Sequence, residues 1–259
     1  MYLYTIDGFI LMFVDIILVS LIYITKGLRN QKEFVIFAGN MIYDAAFGLQ
    51  YFLAGSRRLM LVYGNEKYLE AYSKWDCLTM LYGFLFVLNT PAPGIMALLC
   101  CLDRFLSVTF PLKYIKLPSY YPYLLILMAV IFSSPPVIVT GIMNYQTRTN
   151  FTVTSVCSLQ ETTPEFINLV LRSIRIVTTV PGILMYIFIG YKIFKMMNAT
   201  KNYTKELSIV KKKRLIMMTL TFSLMTLNEA LLFVIPDIIA LVDPKTPLKY
   251  LLSALNLNR

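Results

Sequence analysis

The stretch that decides the reading is Cys101–Tyr114, CLDRFLSVTFPLKY. It closes an apolar run that begins near residue 77, so Asp103 and Arg104 fall at the boundary of a hydrophobic segment. Charge at such a boundary is costly unless it is paired or hydrated. Here the Asp-Arg doublet is followed by an apolar turn and then by Pro111-Leu112. The same apolar texture recurs in both directions. Of 259 residues, 58% are hydrophobic and 15% charged, and the mean hydropathy is +0.66, which a soluble domain of this length does not reach. A helix needs about 20 apolar residues to cross a ~30 Å hydrocarbon core. Segments at residues 5–25, 34–54, 77–106, 120–143, 166–194 and 215–242 meet that requirement. Backbone polar groups in lipid must be satisfied within the segment, which makes these helices. The two-residue alternation of a membrane barrel is absent. The expected fold is an all-α membrane protein, a single transmembrane bundle over residues 1–259. A seventh segment, 247–259, is partial: the twelve residues after Pro247 rise only ~18 Å as a helix.

Lys and Arg set the expected orientation. With the N-terminus outside, the cytoplasmic loops hold fourteen basic residues, eight of them between Lys192 and Arg214, and the outer loops hold seven. Residues 1–8 contain none, so a cleaved signal peptide is not expected and the first span serves as its own insertion signal. The net charge of +10 reads as topology and contact with anionic lipid, not as nucleic-acid binding. The chain has no histidine, which removes the commonest general base and metal ligand. Metalloprotease, serine-hydrolase and phosphate-loop patterns are absent, and Cys100-Cys101 lacks metal spacing. No enzyme, metal site or cofactor is expected. The rival class is a membrane transporter or channel subunit. It would need repeated helices and broken midplane segments, and the Asn89–Gly94 stretch, NTPAPG, is its best support.

The Asp103–Leu112 block closely resembles the D-R-Y-x-x-x-x-x-P-L signature of rhodopsin-like G-protein-coupled receptors, with Phe105 in place of the tyrosine. Asp44 within FAGNMIYDAAFGL, Pro135-Pro136, Pro181 and Pro236 stand at positions where that family keeps an acid or prolines. Together with GLQYFLAGSRR (Gly48–Arg58), the block is most similar to nematode serpentine chemoreceptors of the Srsx kind, over roughly residues 8–242. The resemblance implies a plasma-membrane receptor for an extracellular small molecule or peptide, signalling to a heterotrimeric G protein. The receptor would be non-functional if its seventh helix is truncated. Asp103 and Arg104 would form the switch, Leu112 would pack into the G protein, and the Lys211–Arg214 run would flank that surface or merely report topology. Cys77 and Cys157 both fall on the outer, oxidising side. The family joins such a pair by a disulfide; two free thiols are the alternative. Asn150-Phe-Thr is a glycosylation sequon on the same side.

The chain also departs from the family pattern. Its single tryptophan is Trp75, Val234 replaces the sixth-span tryptophan, Ile216 stands where an acidic partner for Arg104 is often found, and no N-P-x-x-Y appears. Pro91 and Pro93 each remove a backbone donor and should kink the third span. Asp15 and Asp44 are expected to face each other between the first two spans, either sharing a proton or cation or simply tying the helices together. Arg172 and Arg175 with Asp237 and Glu229 are expected either to wall a ligand cavity or to pair and snorkel.

Overall fold

The computed structural model describes residues 2–64, 71–154, 156–199 and 206–242, with backbone alone at 159–160, 196–199, 206–215, 218, 229, 232–233, 236 and 240–242. The expected partial segment 247–259 lies outside the described residues. The chain runs as α1 (Tyr2–Ile24), α2 (Lys26–Arg29), α3 (Lys32–Tyr63), β1 (Ala71–Ser73), α4 (Lys74–Thr79), α5 (Leu81–Asn89), α6 (Ala92–Thr109) and α7 (Pro111–Ile115). It continues as α8 (Tyr121–Gln146), β2 (Phe151–Thr154), α9 (Leu159–Thr162), α10 (Glu165–Ala199) and α11 (Glu206–Glu229), then a π-helical turn (Ala230–Val234) and α12 (Ile235–Val242). Among the described residues, four stretches are long and apolar enough to cross a membrane: α1, α5 with α6, α8, and α10 as far as Lys195.

α6 is the centre of the bundle. Its Ile95, Met96, Leu99, Cys100 and Cys101 pack with Ile36 and Tyr43 of α3, Leu125 and Ala129 of α8, Tyr186 and Ile189 of α10, and Phe222 of α11. Cys100 and Cys101 are buried and outside any disulfide, and the Cys101 thiol donates to the Gly182 carbonyl at 3.3 Å. α1 and α3 approach to backbone contact. A Cβ on Gly48 would lie 2.6 Å from the Met12 nitrogen, and one on Gly8 would lie 2.5 Å from the Phe52 nitrogen. Only the missing side chains allow this crossing, as at other close membrane-helix contacts.

The third expected span, 77–106, is three helices rather than one. α4 starts on a capping box, where Ser73 Oγ accepts from the Asp76 N–H at 3.1 Å and Asp76 Oδ2 accepts from the Ser73 N–H at 3.3 Å. The second break falls at Thr90-Pro91, because Pro91 and Pro93 cannot donate to the carbonyls of Val87 and Asn89. The polar groups at this break are satisfied internally: Thr90 Oγ1 donates to the Phe86 carbonyl at 2.5 Å, and Asn89 Nδ2 donates to Gln50 Oε1 at 3.0 Å. In α8, Pro135 likewise leaves the Ile131 carbonyl without a backbone donor, and the Ser134 hydroxyl supplies one at 2.8 Å.

The second span also differs from expectation. α3 continues to Tyr63, so Arg57 and Arg58 are helical and not loop residues. Each finds an aromatic partner there: Arg57 Nη2 donates to the Tyr72 hydroxyl at 3.3 Å, and the Arg58 guanidinium lies 5.2 Å from the Tyr4 ring centre. At this end β1 pairs antiparallel with β2. The sheet is fastened by the Cys77–Cys157 disulfide, with Cα atoms 5.4 Å apart. Buried Asn144 of α8 adds two ties, donating to the carbonyls of Lys74 (3.2 Å) and Thr162 (2.9 Å).

Candidate functional site

The last turns of α6 carry Asp103 and Arg104 to the end of the bundle opposite the disulfide. Both are completely buried. Arg104 donates to Asp103 Oδ2 through Nε at 3.0 Å and Nη2 at 2.5 Å. The helix stops at Phe110, whose φ of −129° leaves the helical range, and Pro111 opens α7 as its first residue. This turn swings Tyr114 back over the pair. Its hydroxyl accepts from Arg104 Nη2 at 3.3 Å and donates to Asp103 Oδ2 at 3.4 Å. Burial, and then the neighbouring Asp103 carboxylate, push the Tyr114 phenol well above its ordinary pKa, so it stays a neutral donor. From α11 the Phe222 ring closes the fourth side, 5.6 Å from the Arg104 guanidinium carbon.

α7 is itself anchored. Lys32 Nζ donates to the carbonyls of Tyr114 (3.3 Å), Ile115 (3.4 Å) and Leu117 (2.6 Å), a cation placed at a helix C-terminus. The pair still carries unspent capacity. Among the described residues, Asp103 Oδ1 and Arg104 Nη1 are buried without a hydrogen-bond partner. A buried ion pair held on one carboxylate oxygen is a high-energy arrangement, because its desolvation is only partly offset. It is therefore suited to being exchanged for a better one. Leu112, on the outer side of α7, is 77% exposed. Ile216 packs half-buried against the core, so α11 offers Arg104 an aromatic face where an acid was the familiar alternative.

The second cluster lies towards the disulfide end. Arg175 of α10 donates to Asp237 Oδ2 of α12 through Nε at 2.8 Å and also through Nη2. Arg172 Nε lies 3.9 Å from the other carboxylate oxygen. Arg175 and Asp237 thus form an ion pair between α10 and α12. Two cations meet one carboxylate, and Arg172 remains a quarter exposed. The Glu229 side chain, expected in this group, lies outside the described residues, as do those of Lys211–Arg214.

Asp15 is 6% exposed in α1, and Asp44 of α3 accepts from Asn40 Nδ2 at 3.3 Å. The antiparallel register that sets Gly8 and Met12 against Gly48 brings Asp15 level with Asp44. Asn150 is exposed just before β2.

Sequence reasoning missed Tyr114, although it closes the quoted stretch; the spacing does not announce that α7 folds back. It also missed the Lys32 anchor and the Gln50–Asn89 bond. A lone intramembrane Gln facing a proline break is the signal that could have found the latter.

A buried Asp-Arg pair ends a central helix inside an all-α membrane bundle capped by a disulfide, the arrangement that the resemblance to serpentine receptors implies. The family model described as serpentine type 7TM GPCR chemoreceptor Srbc matches residues 2–161. This is more than half the chain, and the chain belongs to that family. The family matched is Srbc; the expectation of the Srsx kind narrows to a serpentine chemoreceptor. No curated protein matches the chain. It is a multi-pass membrane protein of a receptor family rather than an enzyme class. The matched segment holds the Asp103–Arg104 site and both disulfide cysteines, and it stops before α10.

Proposed function

We propose that this chain is a chemosensory receptor that takes a small molecule or peptide at its disulfide end and signals to a heterotrimeric G protein at its Arg104 end. The reading adopts the orientation expected from Lys and Arg, with the N-terminus and the Cys77–Cys157 disulfide outside, and a glycan on Asn150. The bundle is one unit over residues 1–259, with six spans and the partial segment 247–259 as a seventh. The ligand lies between the third, fifth and sixth spans, against Arg172, Arg175, Asp237 and Glu229. Asp15 and Asp44 share a proton or a cation between the first two spans.

The observation that carries the signalling half is the enclosure of Arg104 by Asp103, Tyr114 and Phe222. Those contacts come from α6, α7 and α11, so a relative movement of these elements frees the guanidinium for a partner's carbonyls or carboxylate. Leu112, exposed beside it, supplies the apolar contact. Nucleotide exchange on a heterotrimeric G protein, measured with the full chain in nanodiscs while candidate chemicals are screened, is the test. A stimulating compound should lose its effect in Arg104→Ala while the protein remains folded. Undiminished exchange in that variant would overturn the assignment.

A further inference from the structure

A cavity of about 490 Å³ opens beside the switch, between the α2–α3 turn and the start of α8. Its polar rim is Arg29, Asn30, Lys32, Ser119 and Tyr120, and Val35 forms part of its wall. We propose that it holds the headgroup of an anionic phospholipid of the leaflet next to the G protein. The proposal rests on the orientation adopted above only for the name of that leaflet.

Three features select such an occupant. The first is charge. Arg29 is exposed and, among the described residues, in no ion pair. Lys32 adds a second positive charge, although its ammonium is spent on the carbonyls of Tyr114, Ile115 and Leu117. The second is neutral hydrogen bonding: the Asn30 amide and the Ser119 and Tyr120 hydroxyls can serve phosphate oxygens or the polar substituent beyond them. The third is continuity with lipid. Below the rim, α8 presents Leu124, Leu127 and Ile131 at 45%, 53% and 54% exposure. Spaced three and four residues apart, they form one apolar stripe on which acyl chains can lie. Tyr120 and Tyr123, at the mouth, stand where amphipathic rings prefer the membrane interface. A soluble phosphate would use the rim and leave the stripe idle, so the phospholipid is the source favoured. Because Lys32 also anchors Tyr114, headgroup occupancy bears on the loop that covers Arg104.

The test is native mass spectrometry of the full chain released from micelles containing equal amounts of phosphatidylcholine and phosphatidylserine, with Arg29→Gln and Lys195→Gln alongside. Lys195 is an exposed cation of α10, away from the cavity. The wild type should retain one phosphatidylserine preferentially. Arg29→Gln should lose about fivefold of that preference, the expected effect of one basic residue at an anionic surface, and Lys195→Gln should keep it. Equal losses in both variants would mean diffuse basic charge and would overturn the site. So would an unchanged Arg29→Gln. Full competition by soluble phosphoserine would replace the lipid with a free anion. None of these outcomes depends on G-protein coupling, so a failed receptor assignment and a failed lipid site remain distinguishable.

Discussion

At the scale of single residues, the Arg104 enclosure explains more than the Asp-Arg doublet alone. Tyr114 is a neutral group bonded to both charges, and a hydrogen bond to a charged partner is worth about 1.5–3 kcal/mol. Tyr114→Phe keeps the ring that Lys32 faces and removes the bonds. It should raise ligand-independent nucleotide exchange by about fivefold or more, because the enclosed state loses stability relative to the open one. An unchanged basal rate would mean that Tyr114 packs without restraining Arg104. The arginines of α10 should separate just as clearly. Arg175 makes a two-nitrogen contact with Asp237, whereas Arg172 stands 3.9 Å away and partly exposed. Arg175→Gln leaves a buried carboxylate poorly paired, so its melting temperature in detergent should fall by several degrees more than that of Arg172→Gln. Equal falls would count against the asymmetry. The doublet itself was legible in the sequence because its residues are contiguous and their setting is apolar. Tyr114 and Phe222 were not legible as partners, because one reaches its contact through a fold-back and the other from another helix, whereas Asp237 was legible as a possible partner of the two arginines.

At the scale of elements, hydropathy located the helices because lipid leaves the backbone no alternative. It could not locate their interruptions equally well. Pro91 and Pro93 declare themselves, since proline lacks the donor. The start of α4 depends instead on a capping box at Ser73, the break at Met80 has no side-chain cap to announce it, and the β1–β2 pairing depends on loops too short and polar to carry a periodic signal. The α1–α3 contact was half legible: glycines are visible in the sequence, but which of them meet a backbone is not. The consequence is testable. Gly48→Leu would drive a side chain into the Met12 backbone and should cost about 1–3 kcal/mol by overpacking. Gly141→Ala in α8 has nothing within 4 Å of its new carbon and should be neutral or slightly stabilising, since alanine is the better helix former. Thermal unfolding of both variants in one detergent is the measurement. Similar melting for Gly48→Leu and wild type would show that α1 slides freely on α3, and the level placement of Asp15 and Asp44 would fall with it.

At the scale of the whole molecule, the two ends of the bundle are built on opposite terms. The Arg104 end is closed by bonds that a partner can replace. The other end is closed covalently, over a loop that spans 80 residues of sequence. That loop contains α5, α6 and α8, so the Cys77–Cys157 bond ties the start of the central helix stack to the sheet that covers it. Cys157 accepts a left-handed backbone, φ 47°, to make the tie, a conformation that non-glycine residues adopt only when their surroundings impose it. Removing a cross-link of this length commonly costs about 2–4 kcal/mol. The helices stay confined by the membrane or micelle after unfolding, which favours the lower end of that range. Replacing both cysteines by serine leaves no unpaired thiol to mispair, and it should lower the melting temperature in detergent by several degrees. Cys100→Ser should do less, because that thiol is packed and outside any disulfide. The double variant should also lose ligand-driven exchange before it loses the enclosure of Arg104, since the sheet sits over the proposed ligand entrance and far from α7. A double variant that melts and signals like the wild type would show that the hairpin and the Asn144 bonds hold that end without the cross-link.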